Sequence, residues 1–215
     1  MSRVTVDDAT LASIHSLGVG ASKDDVAPVI TQIALKREGD ALRAMTTDRY
    51  ICLTGLYENV SFDGWSEGEE ILIDPKHLKS VVDIKKKDKK LYNLTTVSIV
   101  QSPNGYVHAQ MGEDSGGLFI GGGNPQTTRA FPPVMKLFPK GQPNGSSSLN
   151  IRPDFIAKLA KVLPPVSRPE RDRIWSFEFR SHTMQQPNEP QPVYAHYDGQ
   201  GYKLEALIQP ALIKR

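Results

Sequence analysis

Few side chains in this sequence have the means to do covalent chemistry. Cys52 is the sole cysteine, and five histidines (His15, His77, His108, His182, His196) are scattered along the chain. A thiolate nucleophile needs a base held at hydrogen-bond distance, and none of the five stands in a nucleophile motif with Cys52. A buried structural thiol is the simpler role. The histidines lack metal-ligand spacing and there is no C-x-x-C pair, so no metal site is expected. Gly121-Gly122-Gly123 follows a predicted strand but precedes Asn124-Pro125 rather than a helix, which is the wrong context for a phosphate cradle. Trp65 and Trp175 are aromatic enough to stack single-stranded bases, yet no basic residues interleave with them, and core packing suits them better. Asp48 reads as a turn former. No catalytic residue, no cofactor and no enzymatic activity are expected.

The totals fit a soluble globular chain. With 215 residues it can bury a real core as one large domain or two small ones, and 39% hydrophobic and 23% charged residues are ordinary proportions. A formal charge of +2 supplies no global field, so a nucleic-acid surface would have to be a local patch. One cysteine excludes an intrachain disulfide and suits a reducing, cytoplasmic setting. The first residues form no secretory signal, and no apolar run is long enough to span a bilayer, so no membrane partner is expected.

The elements organise around residues 41–56, ALRAMTTDRYICLTGL. Leu42, Ala44, Thr46 and Asp48 alternate with Arg43, Met45, Thr47 and Arg49, the period of a half-buried strand. The stretch reads either as a hairpin or as one long bent strand, with Thr47-Asp48 at the bend. Around it the chain falls into three units of strand, helix and strands. The first opens with residues 3–6, then a helix capped by Asp7 or Asp8 with Leu11, Ile14 and Leu17 on one stripe. Strands over 29–37 and 41–56 follow, joined at Glu38-Gly39-Asp40. The second opens with Ile71-Leu72-Ile73 and a helix begun by Asp74-Pro75, burying Leu78, Val81 and Val82 and running into a lysine-rich end. Its strands are predicted over 91–101, 106–111 and 117–121. The third has a strand over 148–151, a helix from Pro153 with Phe155, Ile156, Leu159, Val162 and Leu163 inward, and strands over 174–180, 193–197 and 202–208. The division is 1–140 as one domain of two units (1–66 and 67–140), a linker at 141–148, and 149–215 as a single unit. The fold class is α+β with antiparallel sheets.

That order of elements resembles the bacterial DNA polymerase III β sliding clamp family. The likeness rests on Ala44-Met45-Thr46-Thr47-Asp48-Arg49-Tyr50, similar to the family's Ala-Thr-Asp strand motif; on the strand–helix opening from Ile71 to Val82; on Phe131 to Pro139, FPPVMKLFP, similar to the Phe-Pro segment leaving a clamp domain; and on Tyr202 to Arg215, similar to the C-terminal strand and tail. The resemblance implies the DNA-clamp fold, with sheets outside, helices on an inner face, and each unit a half-domain. The family chain has six units and this one three. A ring of twelve would therefore take four chains, each single unit being completed by a neighbour; a trimer or dimer is also possible.

The implied function is a processivity factor that encircles duplex DNA and tethers the replicative polymerase. Such a ring reads no sequence, needing only a diffuse positive inner surface. The corresponding cations are Lys76, Lys79, Lys85, Lys86 and Lys87 of the second unit and Arg152, Lys158 and Lys161 of the third. Without the resemblance, a lysine run is a solvated helix face. The family's polymerase and clamp-loader partners insert a short apolar peptide into a pocket. The matching positions are Thr47, Arg49, Tyr50, Cys52, Pro132, Leu137, Leu207, Gln209, Pro210 and Ala211, of which Tyr50, Cys52, Leu137 and Leu207 could equally be core. Gln209 and Ala211 stand where the family often has methionine, so partner preference should differ. The rival reading is a clamp-fold interaction module or decoy that binds clamp-dependent proteins without encircling DNA.

Overall fold

The computed structural model describes residues 1–24, 26–87, 96–111, 118–121, 130–138, 151–162, 164–165, 175–179 and 192–209. The first unit comprises β1 (Ser2–Asp7), α1 (Asp8–Leu17), β2 (Ile33–Glu38), β3 (Ala41–Thr47), β4 (Ile51–Tyr57) and a short β5 (Ser61–Asp63). The second comprises β6 (Glu70–Ile73), α2 (Pro75–Lys87), β7 (Thr96–Gln101), β8 (Val107–Met111) and β9 (Leu118–Gly121). The third contains α3 (Pro153–Leu159), β10 (Ser176–Phe179), β11 (Val193–Gly199) and β12 (Tyr202–Ile208). Of the strand expected over 148–151, residues 148–150 lie outside the described residues, as does the linker at 141–148, and residue 151 is not in a strand. Among the described residues no helix is long and apolar enough to cross a membrane.

Local chemistry sets the element ends. The Asp7 carboxylate accepts the Thr10 amide at 2.7 Å and caps α1, burying Leu11, Ile14 and Leu17 as the stripe requires. Asp74 does the same for α2, accepting the Lys76 amide at 2.8 Å ahead of Pro75 at the first helical position. Gly39 turns the β2–β3 hairpin at φ +61°, a conformation that a side chain would strain. The strand expected from residue 29 instead begins at Ile33, because Pro28–Thr31 forms a 3-10 turn that buries Ile30.

The first two units exchange their opening strands. β1 pairs with β7, and β6 pairs with β2, all antiparallel, while α1 packs against α2. A five-stranded sheet, β5-β1-β7-β8-β9, and a seven-stranded sheet, β10-β11-β12-β4-β3-β2-β6, result. The third unit's strands thus lie in the same sheet as β2, β3 and β4 of the first, joined where β12 runs antiparallel to β4 from Tyr202↔Tyr57 to Ile208↔Ile51. Side chains from all three helices meet one face of the sheets in a single large core that includes Leu11, Ile14, Leu78, Val81, Phe155 and Leu159. The far face of the seven-stranded sheet carries a second, smaller core.

Candidate functional site

The stretch 41–56 is a hairpin, and its turn is the most constrained loop of the site. The Asp48 amide donates to the Ile51 carbonyl at 3.2 Å. One Asp48 carboxylate oxygen accepts the amides of Tyr50 and Ile51, at 3.0 and 2.9 Å. The Thr47 hydroxyl donates to the Ile51 carbonyl at 3.0 Å and accepts the Arg49 amide at 3.1 Å. These bonds hold Arg49 at φ +80°, in the left-handed region that costs a side-chain-bearing residue roughly 1–2 kcal/mol. The result pushes Tyr50 outward to 57% exposure, while the Gln209 amide donates to the Tyr50 carbonyl at 2.9 Å and ties the end of β12 to the turn. Arg49 points at Asp24, with an exposed ion pair at 3.6 Å.

Beneath this turn lies the far-face core. Met45, Cys52, Tyr194 and Leu207 form its floor, and Phe131, Val134 and Phe138 of the segment 131–138 pack over them with Ile30. Period-two alternation puts Cys52 and Leu207 on this face opposite Leu53 and Ile208, and the register Leu207↔Cys52 sets them side by side. Burial raises the Cys52 thiol's pKa, the bond to Thr47 opposing it and the Asp48 charge adding to it, so the thiol stays protonated. Within the same segment, Val134–Leu137 forms a 3-10 turn that leaves Leu137 53% exposed. Of the ten expected pocket residues, Thr47, Cys52 and Leu207 are buried, Pro132 is half-buried, and Arg49, Tyr50, Leu137 and Gln209 are exposed. Pro210 and Ala211 lie outside the described residues.

The polar half of the same face holds a network absent from any sequence motif. Arg43 reaches Glu205 and Glu38, both at 3.2 Å. Glu205 also accepts the Tyr194 hydroxyl at 2.7 Å and pairs with Lys203 at 3.0 Å. Burial alone would push the Glu205 carboxyl up, but the bonds from Tyr194 and Lys203 and the charges of Lys203 and Arg43 outweigh it and hold it below its ordinary value. The network crosses the β4–β12 junction.

The expected basic residues divide by what they touch. Lys76 and Lys79 are exposed on α2, with Lys79 paired to Asp83 at 2.8 Å. Lys85, Lys86 and Lys87 continue the helix, their side chains lying outside the described set. Arg152, just before α3, grips Asp154 through two bonds of 3.0 and 2.9 Å. Lys158 pairs with the second Asp48 oxygen, and Lys161 is exposed. Three of the expected cations therefore have a carboxylate at hand. The two exposed pairs, Lys79–Asp83 and Arg152–Asp154, are worth about 0–1 kcal/mol each, so a phosphate can displace the acid there. Among the described residues, no three His, Cys, Asp or Glu side chains are grouped as a metal ion needs.

No protein-family model matches the sequence, and no curated protein matches it. Solved structures do. The chain is similar to the DNA polymerase III β subunit of Borrelia burgdorferi, solved in complex with a natural product, at a TM-score of 0.64 and 9% identity over 98% of this chain and 64% of that one. It is similar to the β sliding clamp of C. crescentus at a TM-score of 0.64 and 12% identity, over 98% of this chain and 65% of that one. It is also similar to A. fulgidus PCNA bound to the C-terminal region of FEN-1, at a TM-score of 0.61 and 11% identity over the whole of both chains. The chain thus spans about two thirds of the length of the bacterial clamps it resembles. Two antiparallel sheets with helices gathered on one face, matched across nearly the whole chain, are the sliding-clamp fold.

Proposed function

We propose that this chain is a sliding-clamp subunit: a non-enzymatic processivity factor whose copies close a ring around duplex DNA and hold a replicative polymerase there. The observation that supports it most is the extent of the clamp fold, which runs from β1 through β12, with α1, α2 and α3 all buried into the same core. In this reading the helices line the opening. Lys76, Lys79, Lys85, Lys86, Lys87, Arg152, Lys158 and Lys161 then meet phosphates without reading bases. The turn at Tyr50, the end of β12 and the exposed Leu137 form the docking surface for apolar peptides of polymerase and clamp loader, over a floor of Cys52 and Leu207. Residues 1–140 act as a complete domain and 149–215 as a half-domain completed by a neighbour. Four chains are favoured, with three or two as the alternatives, in the cytoplasm where the DNA is.

Light scattering and retention on DNA test it together. A ring gives a multimeric mass and stays on nicked circular DNA, then slides off when the circle is linearised. A monomer at micromolar concentration, or retention indifferent to linearisation, refutes the ring. The pairing of Lys79, Arg152 and Lys158 with Asp83, Asp154 and Asp48 favours a second reading, an interaction module that binds clamp-dependent proteins without encircling DNA. That reading expects partner capture with no stimulation of polymerase processivity.

A further inference from the structure

Helix α3 and the turn 47–51 serve different surfaces in the proposed function, yet one ion pair joins them. Asp48 divides its carboxylate: one oxygen holds the amides of Tyr50 and Ile51, and the other meets Lys158 of α3, 110 residues away in sequence. The pair is shielded but not sealed, with Lys158 26% and Asp48 18% exposed, so a phosphate can reach the ammonium. The turn is also poised to move. Arg49 is held at φ +80° by the bonds of Thr47 and Asp48, and its ion pair to Asp24 lies on the surface. Such a turn has the two ingredients of a switch, strain in its present arrangement and a competing partner for the group that holds it.

We propose that Lys158 is a positioning residue that couples the DNA side of the subunit to its partner-docking side. While Lys158 holds Asp48, the carboxylate stays aligned on the Tyr50 and Ile51 amides and Tyr50 is presented in one orientation. When a DNA phosphate takes Lys158, the carboxylate reorients, the turn relaxes at Arg49, and Tyr50 moves. Occupancy of the ring is thereby reported to the docking surface, and by reciprocity a partner that fixes Tyr50 alters the hold on DNA. The inference rests on the clamp reading and deepens it by naming how its two surfaces communicate.

Fluorine NMR of the full chain labelled with 3-fluorotyrosine tests it, the Tyr50 resonance being assigned with Tyr50→Phe and DNA binding followed in parallel by anisotropy with a short linear duplex. In the unaltered protein, DNA should shift the Tyr50 resonance in step with binding. Lys158→Met should shift it without DNA, abolish the further response, and lower the slope of log affinity against log salt by about 0.9, the loss of one phosphate contact. Lys158→Arg should restore the original position. If DNA binds and Tyr50 does not move, or Lys158→Met leaves Tyr50 in place, the coupling is overturned while the clamp reading stands. If no duplex binds even at low salt, no phosphate reaches Lys158 and the coupling is overturned, while the ring itself is judged separately on circular DNA. Should Lys158→Met not fold, the titration of the unaltered protein decides alone.

Discussion

The two faces of the β4–β12 junction are built on opposite plans. On the helix-bearing face, Ile51, Leu53 and Tyr57 lie beside Ile208, Ala206 and Tyr202, all buried in the main core. Gly55 there leaves room for the Tyr57 ring, since a Cβ would stand 2.5 Å from its hydroxyl. On the far face, one step away in each strand, Cys52 and Leu207 give way to Thr54 and Glu205, with Arg43 between them. The first face needs only apolar volume, and many residues satisfy it. The second is apolar at one end and polar at the other, and the bonds among Arg43, Glu205 and Tyr194 in its polar half are met only with these strands side by side. Adhesion and identity are therefore separated by the pleat of the same strand pair.

That separation predicts unequal costs. Leu53→Ala removes a side chain with no exposure from the centre of the apolar face and should cost about 2–5 kcal/mol in urea unfolding, the largest effect expected. Glu205→Gln keeps the shape but strips the charge that Arg43 and Lys203 neutralise, at a cost of about 1–3 kcal/mol. It should also change the pH profile. Glu205 is held below its ordinary value when folded, so its contribution is present above the unfolded carboxyl's pKa and lost as pH falls through the folded one. The unaltered protein should lose stability steeply below about pH 4, and Glu205→Gln should lose less over that range. Equal slopes would mean that the network contributes no charge-dependent stability.

The apolar face was legible in the sequence and the polar one was not. The alternation of Leu42 and Ala44 with Arg43 and Met45, the α1 stripe and the turn at Gly39 are local signals, and each element formed where they pointed. Whether 41–56 was a hairpin or a bent strand turned on Asp48, whose carboxylate binds the next amides and reverses the chain. Nothing local announces that β1 crosses to β7, or that β12 lies against β4, because pairing of distant strands leaves no periodic trace. The same holds for Arg43 with Glu205 and Asp48 with Lys158, separated by 162 and 110 residues. Residues 29–31, expected as strand, belong instead to a 3-10 turn, because their apolar run is satisfied equally by a turn that lays Ile30 on the far-face core. Cys52 and Leu207, expected to line a pocket, are buried in the far-face core with Phe131, Val134 and Phe138, a contact that no local pattern announces.

Exposed positions sharpen the comparison by affecting binding without stability. Tyr50→Ala and Leu137→Asp remove surface side chains, so unfolding should change by no more than about 0.5 kcal/mol. Stimulation of polymerase extension should nevertheless fall in both, since an apolar peptide loses its contacts or meets a buried charge. A Leu137→Asp protein that supports full extension would remove this residue from the proposed docking surface.

A small gain in stability is the effect most specific to the turn. Arg49→Gly relieves a left-handed residue of roughly 1–2 kcal/mol of strain, but glycine gives back about 0.5–1 kcal/mol through the freedom it gains when unfolded. The exposed pair with Asp24 contributes little in either direction. The balance is a gain between about zero and 1.5 kcal/mol in urea unfolding, a site substitution that does not destabilise. The gain should depend on the acid that holds the turn: with Asp48→Asn in place, the carboxylate that aligns the Tyr50 and Ile51 amides is weakened, Arg49 is freer to leave the left-handed region, and the glycine should gain less. Equal gains in the two backgrounds would mean that Asp48 does not enforce the strain. A clear loss on Arg49→Gly alone would mean that the guanidinium, not the backbone, is what the turn requires of residue 49.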